Sequence, residues 1–228
     1  MRSILRLLPA MLLCGAHPAT ADIRLEAETV YYTGPIAAIQ NQELFGLVSG
    51  RAVNRLMITS AGGEVEAGIA LGLWIHESGI DVEVPEYCLS SCANYVFPAG
   101  KHKTIHPGAV VAWHGNYNHL VRTGLWQDDI AGRMERLGED DATARQHVRT
   151  QAERLAHLER DFFERIGVDE YLCWIGKQPP YKVTNYYFLS ARDMARFGVT
   201  KVRTPPDYAG TDVSGFDSHL VYIELKNQ

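Results

Sequence analysis

Short apolar segments alternate with longer amphipathic segments along the first half of this 228-residue chain. Four apolar segments are rich in β-branched and aromatic residues and predict strands, at 23–32, 56–59, 81–84 and 109–113. Apolar residues at helical spacing over 36–48 and 65–78 predict helices between the first three strands. Alternating strands and helices favour parallel pairing through helical crossovers. The predicted fold class is therefore α/β with a mostly parallel sheet.

A helical period dominates the second half of the chain between residues 125 and 167. Its apolar positions recur mostly at three- and four-residue steps and form one stripe: Val148, Leu155, Leu158, Phe162 and Ile166. The stripe fits a surface helix packed on the sheet, and it fits equally a long arm used for self-association. A strand–helix–strand passage follows at 186–202, and 220–225 is typical of an edge strand.

The first 21 residues have the composition of a secretory signal peptide. Arg2 and Arg6 lead into a short apolar run, and the segment ends in the small-residue sequence ATA. The run is too short to cross a bilayer, so cleavage is favoured over an uncleaved anchor helix. We therefore expect a signal peptide at 1–21, a single mature domain at 22–228, and a periplasmic or secreted protein.

Composition narrows the partners and the chemistry of the site. The net charge is −5 and no basic patch stands out, so nucleic acid is not expected as a partner. Three cysteines remain after position 21, without the histidines of a zinc motif, so neither a metal nor a cofactor is predicted. In an oxidising compartment Cys88 and Cys92 are the natural disulfide pair. Cys173 is then expected to be a buried free thiol.

Three features, in order along the chain, hold groups suited to nucleophilic catalysis. The sequence TSAGGEVEAG at 59–68 places two glycines between a strand and a helix, where backbone N–H groups stabilise negative charge. Ser90 and Ser91 stand at a predicted helix start, and His114 ends an apolar strand. A serine hydroxyl needs a base such as imidazole to react near neutral pH. Taken singly, the three features also fit a tight turn, an N-cap and a core histidine.

These segments resemble the proteolytic subunits of Clp proteases. TSAGGEVEAG is similar to their NSPGG-x-V-x-AG motif, and SSCANYVFPAG at 90–100 is similar to their nucleophile helix, ASMGAFLLAAG. Residues 101–114 resemble the family's R-x-x-x-P-x-x-x-x-M-I-H segment, and YFLSA at 187–191 resembles its RFLSA segment. The resemblance spans roughly 36–202. It implies a Clp-protease/crotonase-type fold, a spiral of repeated β-β-α units with a long helical arm.

The resemblance also implies roles for individual residues. By position, Ser91 matches the nucleophile and His114 its base. The backbone N–H groups of Gly63 and Cys92 match the donors that hold the oxyanion. Cys92 is itself an alternative nucleophile, because a helix N-terminus lowers a thiol pKa, but a disulfide to Cys88 is the plainer role.

This chain departs from the family at the third member of the catalytic triad. The expected aspartate lies just before YFLSA, and no acidic residue occupies that place. Asn185 is the predicted replacement, because asparagine orients the histidine in some cysteine proteases. Asp169 is a more distant alternative. Lys182 is another, and it would form a Ser-Lys pair that leaves His114 idle.

The combined prediction is an exported serine hydrolase, a peptidase acting on a peptide or small acyl substrate. A homo-oligomer is expected, and no ATPase partner is expected outside the cytoplasm. One alternative is a catalytically inactive binding or scaffold protein on the same fold, which the missing aspartate favours. A second is a crotonase-like enzyme acting on acyl-CoA, which export disfavours because acyl-CoA is a cytoplasmic substrate.

Overall fold

A six-stranded sheet forms the centre of the protein in the computed structural model, which describes residues 20–216 and 219–226. Its strands lie in the spatial order β1 (Asp22–Glu26), β2 (Thr29–Thr33), β3 (Arg55–Thr59), β4 (Asp81–Val84), β6 (Lys103–Ile105) and β9 (Val202–Arg203). The first two strands pair antiparallel, and every other neighbouring pair is parallel. The prediction of an α/β fold with a mostly parallel sheet is confirmed. The signal-peptide prediction falls almost wholly on residues 1–19, which lie outside the described residues.

Two smaller parallel sheets lie beside the main one and carry the candidate site. One joins β5 (Tyr87–Leu89) to β7 (Val110–Ala112), and the other joins β8 (Tyr186–Phe188) to β10 (Leu220–Tyr222). An antiparallel bridge between Trp113 and Tyr187 connects the two sheets. This bridge places the residue after Trp113 beside the start of β8.

Six α-helices cover the sheets within the described residues. They are α1 (Ala38–Val48), α2 (Val65–Ser78), α3 (Tyr117–Thr123), α4 (Ile130–Leu137), α5 (Asp141–Ile166) and α6 (Ala191–Ala195). Gly79 ends α2 in the left-handed conformation that glycine adopts without strain, as its position in the sequence predicts. None of these helices has the length and apolar character needed to cross a membrane.

The helical region at 125–167 has two parts with different surroundings. The C-terminal half of α5 buries Phe162 and Phe163 in the main core, where both rings contact Tyr95. The N-terminal half pairs with α4 around a separate small cluster that includes Ile130 and Val148. The C-terminal half of α5 therefore packs against α2 and Tyr95, and the N-terminal half forms a helical hairpin with α4.

The predicted strand at 23–32 is wrong in one respect, because the segment forms a hairpin. Ala27 adopts a φ of +52°, which breaks the extended backbone and reverses the chain between β1 and β2. Both halves carry β-branched and aromatic residues, so the pattern predicts extended backbone but does not reveal the two-residue turn. The hairpin gives the sheet its antiparallel edge.

Candidate functional site

Ser90 occupies a sharp turn that immediately follows β5. Its φ is +54°, a left-handed conformation that is uncommon for a residue with a side chain. The backbone N–H of Ser90 donates to the carbonyl of Ala112 at 3.2 Å, which fixes the turn against the end of β7. Backbone strain of this kind persists only where the surroundings hold it, and it clusters at functional sites. The turn presents the partly exposed Ser90 side chain to a cleft.

His114 lies two residues after the end of β7 and meets the Ser90 side chain. The Ser90 Oγ lies 2.8 Å from Nε2 of His114, which is hydrogen-bonding distance. Trp113, one residue earlier, exchanges two backbone hydrogen bonds of 2.9 Å with Tyr187. The position of His114 therefore follows from the connection between the two small sheets, and the predicted serine–histidine contact is made through Ser90.

Ser91 faces away from the histidine. Its hydroxyl donates to the carbonyl of Gly63 at 2.8 Å, and the residue is only 4% exposed. The expectation that Ser91 contacts His114 therefore needs correction, because the neighbouring Ser90 makes that contact. Ser91 instead links the turn after β5 to the glycine turn after β3.

A π-helical turn directly follows the two serines. Residues Cys92–Val96 form this turn, and the N–H of Phe97 donates to the carbonyl of Cys92, five residues earlier, at 3.0 Å. A π turn holds one more residue than the equivalent α turn. An alignment that treats residues 90–100 as regular α-helix therefore differs by one residue from the observed backbone.

Cys88 and Cys92 lie at disulfide-bonding distance, with their Cα atoms 5.2 Å apart. The pairing expected from the sequence is confirmed. The bond joins β5 to the first residue of the π turn, and so it closes around both Ser90 and Ser91. Cys173 is a buried free thiol, as predicted.

The glycine turn lies next to the two serines. A Cβ at Gly63 would overlap the carbonyl oxygen of Ile36, and a Cβ at Gly62 would come within 2.8 Å of the backbone nitrogen of Ser91. Glycine is therefore required at both positions for the turn to approach so closely. Among the described residues, no acceptor receives a hydrogen bond from the Gly63 N–H. This donor is available to a ligand.

The second predicted oxyanion donor, the N–H of Cys92, does not directly follow the serine that faces the histidine. Since Ser90 faces His114, the N–H that follows the exposed hydroxyl belongs to Ser91 and not to Cys92. Ser91 is the cap residue at the start of the π turn, and the first N–H groups of a helix have no acceptor within it. The N–H groups of Gly63 and Ser91 are the pair next to the Ser90 hydroxyl that suits a developing negative charge.

Tyr186 is a site residue that the sequence interpretation missed. Its ring centroid lies 4.6 Å from that of His114, and burial raises its pKa while the Ser90 hydroxyl nearby opposes that rise. The sequence feature that could have identified Tyr186 is its position one residue before Tyr187, in a predicted strand. Tyr186 packs on the imidazole and limits its rotation.

The imidazole of His114 is held in its neutral form. Burial of the ring lowers the pKa of His114 from 6.5 to about 4, and the ammonium of Lys177 contributes to that decrease. By accessible surface, however, the residue as a whole is exposed, so water and a substrate can reach the ring. A neutral imidazole can accept the proton of a serine hydroxyl near neutral pH.

The three candidates for the third triad member do not reach His114. Asn185 and Lys182 are exposed, and Asp169 accepts a hydrogen bond from the N–H of Tyr171 at 2.9 Å. Within the described residues, no hydrogen bond reaches Nδ1 of His114. Asn185 contributes only its backbone carbonyl nearby, which accepts a 2.6 Å hydrogen bond from Nζ of Lys177.

A cavity of about 270 Å³ opens in front of Ser90 and His114. Tyr117 and Leu120 of α3 line one side of it, and Tyr95 lines another. The cavity is therefore bounded by both the core and a short, separate helix.

Behind this cavity a buried carboxylate ties together three parts of the chain. Glu159 of α5 accepts hydrogen bonds from the Tyr95 hydroxyl at 2.5 Å and from the N–H groups of Tyr117 and Asn118 at 3.0 and 2.9 Å. Burial raises the pKa of Glu159 to about 7. Sequence reasoning missed Glu159 because its partners lie 41 to 64 residues away along the chain.

The site offers a hydroxyl, an imidazole and backbone N–H groups as its reactive elements. In the described part of the chain, no three His, Cys, Asp or Glu side chains converge as metal ligands would. No protein-family model matches the chain, and no curated protein matches it in sequence. The functional conclusion therefore depends on the geometry of Ser90, His114 and the glycine turn.

Proposed function

We propose that this protein is a serine hydrolase, a peptidase, in which Ser90 is the nucleophile and His114 its general base. The observation that carries the proposal is the 2.8 Å contact between Ser90 Oγ and His114 Nε2 at the edge of an open cavity. The left-handed backbone of Ser90 supports it, because a sharp turn after a strand is how a nucleophilic serine is exposed in other hydrolases. Ser90 replaces Ser91 in the proposed role.

The proposed reaction proceeds through an acyl-enzyme. The Ser90 oxygen attacks the substrate carbonyl carbon while its proton passes to Nε2 of His114. The resulting oxyanion accepts hydrogen bonds from the N–H groups of Gly63 and Ser91. His114 then gives the proton to the leaving amine as the carbon–nitrogen bond breaks. Water attacks the acyl-enzyme, His114 takes one of its protons, and the return of that proton to Ser90 releases the acid.

His114 works in this proposal without a carboxylate partner. Packing against Tyr186 orients the ring, and the depressed pKa keeps it unprotonated at neutral pH. A weaker base also accepts the serine proton less readily, because proton-transfer efficiency follows basicity. We therefore propose a Ser-His dyad with modest turnover.

The wider proposal places the chain with exported relatives of the Clp-protease/crotonase type. The mostly parallel sheet, the glycine turn after β3 and the serine turn after β5 support that fold assignment. The disulfide pair supports a location in an oxidising compartment, such as the periplasm or the cell exterior. The signal peptide at 1–21 and self-association are parts of the same proposal.

An inactive binding protein on this fold is the second candidate function. The observation that favours it is the lack, among the described residues, of any hydrogen bond to Nδ1 of His114. Such a protein would use the cavity to hold a peptide without cleaving it. Its biological role would survive replacement of Ser90 by alanine.

Peptide cleavage tests the proposed function directly. The mature chain is incubated with a proteome-derived peptide mixture, and new termini are read by mass spectrometry. The proposal expects cleavage that is lost in Ser90→Ala and retained in Ser91→Ala, the matched neighbouring variant. Cleavage that persists in Ser90→Ala, or no cleavage by folded protein, would contradict the proposal.

A further inference from the structure

A second groove lies beside His114. Its volume is about 420 Å³, and it shares His114, His119 and Leu120 with the cavity in front of Ser90. The two spaces therefore meet at these shared residues, beside the histidine. A substrate with residues beyond the bond that is cleaved would extend into this groove.

The groove contains a cation that has no carboxylate partner among the described residues. Nζ of Lys177 donates to the backbone carbonyls of Thr184 and Asn185 at 2.7 and 2.6 Å. These two acceptors are neutral and take two of the three ammonium donors. No Asp or Glu lines the groove, and no described carboxylate pairs with Lys177.

The charge of Lys177 acts on histidine side chains inside the cleft. Lys177 is half-buried, and its ammonium lowers the pKa of both His114 and His119, in each case as the second cause after burial. The two backbone carbonyls hold the ammonium in place, so its remaining donor is fixed before a ligand binds. A fixed and partly desolvated ammonium attracts an anionic group more strongly than a surface lysine does.

We propose that this groove binds a carboxylate of the substrate, with Lys177 as its counter-ion, so that the site selects acidic peptides. The inference rests on the proposed peptidase function for its substrate class. The carboxylate belongs either to an Asp or Glu side chain near the scissile bond or to the C-terminus of the peptide. Lys177 is a specificity-determining residue in this account and takes no part in proton transfer.

Binding to Ser90→Ala protein tests this proposal without requiring cleavage. The probes are acetylated alanine hexapeptides with one Glu or one Gln at each position, made with a free or amidated C-terminus, and affinity is measured by calorimetry. We expect at least one carboxylate peptide to bind about tenfold more tightly than its amide counterpart. Tighter binding of a Glu peptide than of its Gln counterpart identifies a side-chain carboxylate. Tighter binding of a peptide with a free C-terminus than of its amidated counterpart identifies the C-terminal carboxylate.

Two substitutions at Lys177, made in the Ser90→Ala background, decide whether that preference comes from the ammonium. Lys177→Met should remove the preference, and Lys177→Arg should retain most of it, because arginine keeps the charge. Equal binding of all matched pairs, absence of measurable binding by any peptide, or a preference that survives Lys177→Met would overturn the proposal. A carboxylate preference in a protein that never cleaves peptides would leave this inference standing while the peptidase proposal fails.

Discussion

The Ser90 hydroxyl lies 2.8 Å from Nε2 of His114, while the hydroxyl of the next residue turns away and bonds to the backbone of Gly63. Two adjacent serines therefore have separate structural roles. Ser90 is partly exposed in the cleft, whereas Ser91 is buried and connects two turns. The left-handed backbone at Ser90 and the π turn that follows produce this division.

The reaction of Ser90 should remain fast at unusually low pH. His114 must be neutral to accept a proton, and its pKa is lowered toward about 4 by burial and by Lys177. The rate of inactivation by a neutral fluorophosphonate should therefore be flat from pH 7 to about pH 5 and should fall only below that. Removal of the ammonium in Lys177→Met should move the fall to higher pH, since imidazolium would lose a repulsive neighbour. A decline centred at pH 6.5 in the wild type would contradict this assignment.

The disulfide should hold the serine turn in its reactive shape. Replacing both Cys88 and Cys92 by serine should lower the free energy of unfolding by about 2 kcal/mol, the amount expected for a loop this short. In the same variant, Ser90 should react more slowly with the fluorophosphonate, because the strained backbone of Ser90 loses a covalent support. Cys173→Ser is the matched control, since that thiol is buried but unpaired. Equal labelling rates in the double variant and the control would rule out a supporting role for the disulfide.

Glu159 should make stability fall as pH rises. Its pKa is raised in the folded protein from 4.5 to about 7, so folding favours the protonated form. The contribution is complete below pH 4.5 and is lost as pH passes through 7, and its size is roughly 3 kcal/mol. In urea unfolding, Glu159→Gln should gain stability relative to the wild type as the pH rises through this range. Only the wild type loses the contribution of a protonated carboxyl. A stability difference between the two proteins that is constant from pH 4.5 to 8 would show that the pKa of Glu159 is not raised.

The sequence predicted those parts of the site that depend on local patterns. His114 comes shortly after a buried strand, the two glycines follow another, and Cys88 and Cys92 are close in sequence. Each of these features is determined by a few neighbouring residues. For the same reason the α/β class and most helices were predictable from periodicity.

The remaining features depend on packing between distant segments. The strands β5 and β6 have three residues each, which is too short for a periodic signal. Ser90, and not Ser91, contacts His114, and the π turn that follows packs its Tyr95 against Phe162 of α5, far along the chain. Asn185 fails to reach His114 because its loop is tied by its backbone to Lys177. None of these contacts leaves a trace in the local sequence.

Mapping the site of fluorophosphonate attachment tests the central claim most directly. The mature wild-type protein, Ser90→Ala, Ser91→Ala and His114→Ala are treated at neutral pH, and the modified residue is identified by peptide mass spectrometry. We expect one label per chain on Ser90, lost in Ser90→Ala and His114→Ala and retained in Ser91→Ala. A label on Ser91, or no label on a folded protein with its disulfide intact, would contradict the Ser90–His114 pair.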